Sequence, residues 1–318
     1  MKISRVAVLG AGAVGSYVIW GLSRCKGIEL SLIADGDRAK RLEGKGVVIN
    51  GARYRPQVLT PVEAHDVDLL IVCLKYGALQ DTLESMRQVV GSHTTVMSLM
   101  NGVDSEEIIG KAVGADRVLP ALIKVASSKQ GEGYRFEPAT TKGIVFGEAQ
   151  APYASERVQA IEALFAEAEL HFRSTERIEE EIWGKFRLNV CNNLPQAILG
   201  VGVGCYEDSE HVISIRAGLR REVEAVASAR GVDLSRIDAS ATSGSAVPPT
   251  ARFSTLQDLD AGRHTEVDMF AGAMMRMGKE LGIPTPYCEY TYHMIKAFEE
   301  KNDGLFDYDG TEEATCSK

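Results

Sequence analysis

The run Gly10-Ala11-Gly12-Ala13-Val14-Gly15 stands where one hydrophobic periodicity gives way to another. Residues 6–9 are an apolar, β-branched-rich run that stops at Gly10, and residues 13–24 then carry an apolar face at helical spacing until Gly27. The segment reads strand, turn, helix. In that setting the first glycine lets the chain turn tightly, the second lets the backbone approach a pyrophosphate, and the third lets the helix pack on its strand. The first amides of the helix and its dipole then face the phosphates. A second strand is expected at 29–33, and Asp35 follows twenty residues after Gly15, where a carboxylate would accept hydrogen bonds from an adenosine ribose. A glycine-rich turn that merely joined a strand to a helix would need no acid at that distance. Strand, turn, helix and acid together point to a dinucleotide site. An FAD site uses the same turn but needs further segments around its ring system, for which this sequence shows no room, so NAD(P)H is the expected cofactor.

The rest of the first half repeats the alternation. Residues 67–74 and 96–99 are apolar runs of strand length, as in a parallel sheet covered on both faces. Helical segments at 78–90 and 105–113 separate them, and 47–54 reads as a hairpin about Asn50-Gly51. Residues 117–147 suggest further strands at the sheet edge, followed by a helix at 154–167. After about residue 175 only helices are expected, at 176–199, 209–230, 263–281 and 286–300. In the third, Val267, Phe270, Met274, Met277 and Leu281 form a core stripe that Gly282 and Pro284 terminate. The predicted fold class is α/β: a Rossmann-type doubly wound sheet in residues 1–175 and an all-helical domain in 176–318, two domains in a chain too long for one ordinary core. The acidic tail with Asp303, Asp307, Asp309, Glu312 and Glu313 reads as a solvated, partly ordered end.

Composition excludes several classes of partner. The net charge is −9 and the basic residues are scattered, so no nucleic acid is expected. Apolar runs are strand-length and residues 1–9 do not read as a secretory signal, so no membrane association and a cytoplasmic location are expected. Cys25, Cys73, Cys191, Cys205, Cys288 and Cys316 form no CxxC pair and have no histidines at ligand spacing, which reads as buried free thiols and no metal.

A cofactor alone performs no selective chemistry. Reducing a carbonyl needs a proton donor at the nascent alkoxide and fixed polar groups for the rest of the substrate. Leu74-Lys75 and Met100-Asn101-Gly102 lie at the carboxyl ends of two expected strands, where open sheets bind ligands. On the helix at 176–199, Lys185, Asn189 and Asn193 recur every four residues, a sector of roughly 80°. Ile182, Phe186, Val190 and Leu194 make an adjoining apolar face, and Pro195 should kink or end the helix. Taken singly, each has a plainer reading: a solvated lysine, a turn at Asn101-Gly102, a strand-end charge at Lys75, a helix cap at Ser254, a helix N-terminal charge at Glu266.

Taken in order, the glycine turn, Leu74-Lys75, Asn101-Gly102, the Lys185/Asn189/Asn193 helix, Ser254 in Phe-Ser-Thr-Leu-Gln-Asp, and Arg263-His-Thr-Glu266-Val-Asp268 resemble the ketopantoate reductase (2-dehydropantoate 2-reductase) family over essentially the whole chain. The resemblance implies hydride transfer to a 2-oxo acid, giving a D-2-hydroxy acid. It implies that Lys185 is the general acid at the C2 oxygen, that Glu266 helps hold substrate and lysine, and that Asn189, Asn193 and Ser254 grip substrate hydroxyl and carboxylate. Lys75 and Asn101 would lie where cofactor and substrate meet, His264 would be structural, and Lys124 receives no role. Relatives include dimers, and the helical half could form a homodimer through its apolar faces.

Two departures matter. NADPH-using members commonly carry an arginine just after the second strand, where this chain has Asp35; a carboxylate there favours NADH, with Arg38 the residue most able to reverse that preference. Leu119-Pro120-Ala121 stands where many relatives have a glycine-rich strand, which could reshape the acyl pocket. The alternatives are therefore an NAD-dependent D-2-hydroxyacid dehydrogenase of the same family acting on another branched or aromatic acid, and a non-catalytic NAD(H)-sensing regulator.

Overall fold

The computed structural model describes residues 2–238 and 247–306, and the chain divides into two compact units, Met1–Ile182 and Trp183–Lys318. Along the first, β1 (Arg5–Leu9) leads into α1 (Ala13–Leu22) and β2 (Glu29–Ile33) into α2 (Gly36–Lys45). The hairpin of β3 (Val47–Ile49) and β4 (Ala52–Tyr54) precedes β5 (Gln57–Leu59). Then β6 (Leu69–Val72) leads to α3 (Leu79–Val89), β7 (Thr95–Ser98) to α4 (Ser105–Val113), and β8 (Val118–Leu119) follows. Six of these strands run parallel in the order β5-β2-β1-β6-β7-β8. Counted along the chain that is 3-2-1-4-5-6, the doubly wound arrangement, and the order reverses between β1 and β6. Ligands of such sheets bind at the carboxyl ends of the two strands flanking that reversal.

Alternate residues of each strand enter different cores, as the two-residue period requires. Val6, Val8, Leu69 and Ile71 meet Tyr17, Val18, Ile19 and Leu22 of α1 on one face. Ala7, Leu9, Leu70 and Val72 meet Leu79, Met86 and Val89 of α3 and Ile109 of α4 on the other. With each buried aliphatic side chain contributing roughly 1.5–3 kcal/mol, this double covering holds β1 and β6 rigidly beneath the glycine turn. The expected strands and the helix at 105–113 are present, but α2 gave no signal in the sequence. None of its residues is fully buried and of its side chains only Leu42 is among those packed on the core, so its apolar side is too thin to detect.

Residues 117–147 correct one expectation. Only β8 joins the parallel sheet; β9 (Ala121–Lys124), β10 (Ser127–Gln130), β11 (Gly133–Phe136) and β12 (Gly143–Phe146) build two smaller sheets. Pro120 has no amide to continue the ladder of β8, so the chain leaves the sheet there. After α5 (Glu156–Glu167), β13 (Phe172–Ser174) pairs with β12, which also pairs with β9; β10 and β11 join β3 and β4.

The remainder is helical: α6 (Ile178–Leu188), within which the division between units falls, a π-helical turn at Asn189–Asn193, α7 (Leu194–Leu199), α8 (Cys205–Asp208), α9 (Glu210–Ala229), α10 (Ser235–Asp238), α11 (Ser254–Asp260), α12 (Ala271–Leu281) and α13 (Pro286–Asn302). The expected helix at 263–281 begins only at Ala271. Of its core stripe Val267, Phe270, Met274 and Met277 are buried, but Leu281 is 40% exposed at the last turn before Gly282 reverses the chain at φ +69°. Just beyond, the buried Glu222 of α9 accepts the backbone amides of Tyr287 and Cys288 at 2.7 and 2.9 Å, a carboxylate placed at the amino end of α13. Cys25, Cys73, Cys191 and Cys288 are buried free thiols, and Cys205 is half-buried. Cys316, Asp307, Asp309, Glu312 and Glu313 lie outside the described residues. No described helix is long and apolar enough to cross a membrane.

Candidate functional site

Gly10 closes β1 with φ +108°, and a Cβ there would stand 2.5 Å from the carbonyl oxygen of Cys73, so the turn lies directly against the end of β6. No residue but glycine meets both conditions. A Cβ on Gly15 would run into the carbonyl oxygen of Gly10, which fixes the first turn of α1 on the loop. Gly12 is the opposite case: a Cβ there would meet nothing within 4 Å. The side of the turn beside Gly12 is open, and Gly12 caps α1 without any side-chain hydrogen bond. The opening amides of a helix have no acceptor within it, and the dipole favours negative charge at that end. Half-buried Ala11, Ala13 and Val14 complete the cradle. These residues fit the pyrophosphate of a dinucleotide.

Asp35 follows β2 as the residue preceding α2; it is exposed and its carboxylate makes no capping bond. Arg38 is exposed in the first turn of α2. Lys75 is exposed at the end of β6, while Asn101 is half-buried on the loop after β7, where Gly102 takes φ +97°. The Tyr76 hydroxyl donates to Asp104 Oδ2 at 2.7 Å and so ties the loop carrying Lys75 to the one carrying Asn101. Beneath the second loop, the Ser98 and Ser105 hydroxyls are 2.9 Å apart, Ser98 Oγ accepts from the Met100 amide at 3.4 Å, and Ser105 donates to Glu106 Oε2 at 2.8 Å. Burial pushes Glu106 up to about 7 against the downward pull of the Ser105 bond, with Asp104 adding to the rise. Sequence reasoning missed this carboxyl, which reads there as an ordinary acid in the first turn of a helix. Lys124, left without a role, stands 3.7 Å from Glu181 Oε2, and burial lowers its pKa.

In the second unit Lys185 and Asn189 are half-buried and Asn193 is buried. The adjoining face is apolar as expected: Ile182, Phe186, Val190 and Leu194 are all buried. The helix does not end at Pro195 but widens just before it, and α7 continues to Leu199. Proline removes one helical donor and crowds the preceding turn, and the π turn carries the chain past it. The widening also changes the stripe. A π turn rotates each residue by less than the roughly 100° of an α-helix, which alters the sector that four-residue spacing would give the stripe in a regular helix. The Asn193 amide donates to Asn189 Oδ1 at 3.4 Å, and the Tyr206 hydroxyl donates to the Asn192 carbonyl at 2.6 Å within the same turn.

Ser254 is exposed and opens α11 without capping it; the residue before the helix is Phe253. Its place is set by Gln196 of α7, fully buried, whose amide donates to the Ala251 carbonyl at 2.9 Å and accepts from the Phe253 amide at 2.7 Å. Glu266, half-buried, sits on a turn rather than in a helix. The Val267 amide bonds the Thr265 hydroxyl at 3.1 Å and the Thr265 amide bonds Glu299, so side chains capture donors a helix would have used. Phe186, next to Lys185, meets Phe270, four residues past Glu266, with ring centroids 6.2 Å apart. The lysine helix and the Glu266 turn therefore share one apolar contact. His264 lies on this turn with Nε2 2.8 Å from Asp303 Oδ2.

The sequence profile described as ketopantoate reductase PanE/ApbA matches residues 6–151, and that of its carboxy-terminal domain matches residues 177–299. The chain belongs to the ketopantoate reductase family. It is thus an oxidoreductase of a family that uses nicotinamide cofactors. A 2-dehydropantoate 2-reductase of Pyrococcus horikoshii is 26% identical over 309 residues, covering 94% of this chain and 99% of that one. Among solved structures, a PanE/ApbA family ketopantoate reductase from Ralstonia eutropha JMP134 matches with TM-score 0.76 and 27% identity over 94% of this chain and 99% of the other. A D-mandelate dehydrogenase solved with NADH matches with TM-score 0.80 and 24% identity over 96% and 100%, a likeness of fold. A ketopantoate reductase and a D-mandelate dehydrogenase thus share the architecture of this chain.

Proposed function

We propose that the protein reduces a 2-oxo acid, 2-dehydropantoate above others, to its D-2-hydroxy acid, with NADH preferred. The observation that carries the reading is the polar stripe of Lys185, Asn189 and Asn193 on the widened helix, joined through Phe186 and Phe270 to the turn of Glu266. A bound dihydronicotinamide dinucleotide supplies the hydride. Gly10, Ala11, Gly12, Ala13, Val14 and Gly15 hold its pyrophosphate, Asp35 its adenosine ribose, and Lys75 and Asn101 its nicotinamide end. Lys185 then gives a proton to the C2 oxygen of the substrate, a contribution typically worth 10²–10⁴-fold for a positioned acid. Glu266 orients both substrate and lysine, while Asn189, Asn193 and Ser254 bind hydroxyl and carboxylate.

The NADH preference rests on Asp35, whose exposed carboxylate makes no capping bond and would repel a 2′-phosphate. It also supports a second reading, an NAD-dependent D-2-hydroxyacid dehydrogenase acting on another branched or aromatic acid. Cofactor oxidation across a panel of 2-oxo acids, with NADH and NADPH in parallel, decides among them. The highest kcat/KM for 2-dehydropantoate with NADH is expected. A higher value for another acid selects the second reading, and no oxidation with any acid leaves a nucleotide-binding regulator.

A further inference from the structure

Behind the Glu266 turn lies a carboxylate hidden from solvent. Glu299 of α13 is 2% exposed, and its Oε1 accepts both the backbone amide and the hydroxyl of Thr265 at 2.7 and 2.6 Å, while Lys296 donates to its Oε2 at 2.7 Å. Two residues beyond Glu266, Asp268 is tied to the same helix: the Tyr292 hydroxyl donates to it at 2.8 Å and Lys296 Nζ stands 3.6 Å away. The residues on both sides of Glu266 are therefore bound to α13. Burial pulls Lys296 down, but its bond to Glu299 and the fields of Asp268 and Glu299 outweigh it and hold the ammonium above its ordinary value.

A buried carboxylate carries a desolvation penalty of several kcal/mol, and well-packed apolar side chains of similar volume often serve stability as well. What the ionic arrangement adds is one geometry. The Thr265 hydroxyl donates to Glu299 and accepts from the Val267 amide at 3.1 Å, so it spans the residue between them. That spanned residue is Glu266.

We infer that Thr265 and Glu299 form a clasp that sets the backbone from which Glu266 reaches the substrate, making both of them positioning residues for the reaction. The inference rests on the reading of Glu266 given above. A double-mutant cycle tests it: kcat/KM for 2-oxo acid reduction is measured for Thr265→Val, Thr265→Ser, Glu266→Ala and the double variant Thr265→Val/Glu266→Ala, with NADH Kd and Tm recorded for each. Thr265→Val should lower kcat/KM about tenfold with NADH Kd unchanged, Thr265→Ser should stay within about twofold of the parent, and in the Glu266→Ala background Thr265→Val should change nothing further. Equal factors in both backgrounds would show that Thr265 acts without Glu266 and overturn the inference, as would full activity of Thr265→Val beside an impaired Glu266→Ala. Full activity of Glu266→Ala itself overturns the underlying reading, and the inference with it. Should Thr265→Val not fold, Glu299→Gln keeps the acceptor oxygen, removes the charge, and enters the same cycle with a loss of a few-fold expected only when Glu266 is present.

Discussion

The two units hold their functional groups by opposite means. In the first, side chains are kept out: Gly10 and Gly15 bring backbone against backbone, and Gly12 leaves one side of the turn open. In the second, side chains are brought in, and two of the segments that carry them are fixed by side chains far away in sequence: that of Ser254 through Gln196, the Glu266 turn through Glu299. A site made of backbone needs particular residues at fixed spacing, so it can be read in sequence. A site made of long-range side-chain bonds cannot.

The sharpest way to break the contrast is to add an atom to the backbone site. Gly15→Val would drive a side chain into the Gly10 carbonyl, and NADH binding should weaken at least about 100-fold, measured by fluorescence titration, with Tm lowered as well. Binding within a few-fold of the parent would mean that the turn is not the pyrophosphate cradle.

A smaller effect is expected where a side chain does enter the first unit's chemistry. Asp35→Ser should shift the ratio of kcat/KM for NADH over NADPH toward NADPH by about tenfold, since it removes one negative charge from the neighbourhood of a 2′-phosphate. An unchanged ratio would pass responsibility to Arg38 or elsewhere.

The smallest expected effect concerns the Asn101 loop. Burial holds Glu106 near 7 from its ordinary value of 4.5, so the folded protein binds this proton more tightly than the unfolded chain. Between pH of about 4.5 and 7 the folded state carries more protons, and its stability falls as pH rises through that window. Because the side chain is half-buried, the loss should be on the order of 1 kcal/mol. Urea unfolding of Glu106→Gln between pH 5 and 8 should lack this slope; an identical slope in both proteins would place the titration elsewhere.

The doubly wound sheet was legible because its strands are buried on both faces and its helices, α2 apart, turn an apolar stripe inward. The residues 117–147 were legible as strands but not as separate sheets, since pairing partners such as β3 with β11 and β12 with β13 depend on contacts across long stretches of chain. On the helix of Lys185, four-residue spacing suggested a shared polar stripe but could not show the π turn that alters it, which arises where Pro195 meets a continuous helix. The extra helical turns expected at 263–270 fail for a similar reason: Thr265 and Glu299 are 34 residues apart, and Lys296 with Glu299 looks in sequence like a solvated ion pair. Gln196 carried no signal at all.

The division of labour between the units is tested most directly in one protein, Lys185→Ala, by measuring NADH Kd and the rate of 2-dehydropantoate reduction on the same sample. The account predicts an unchanged Kd and a turnover lowered by about 10²–10⁴-fold. Reduction at the parent rate with cofactor bound normally would contradict it.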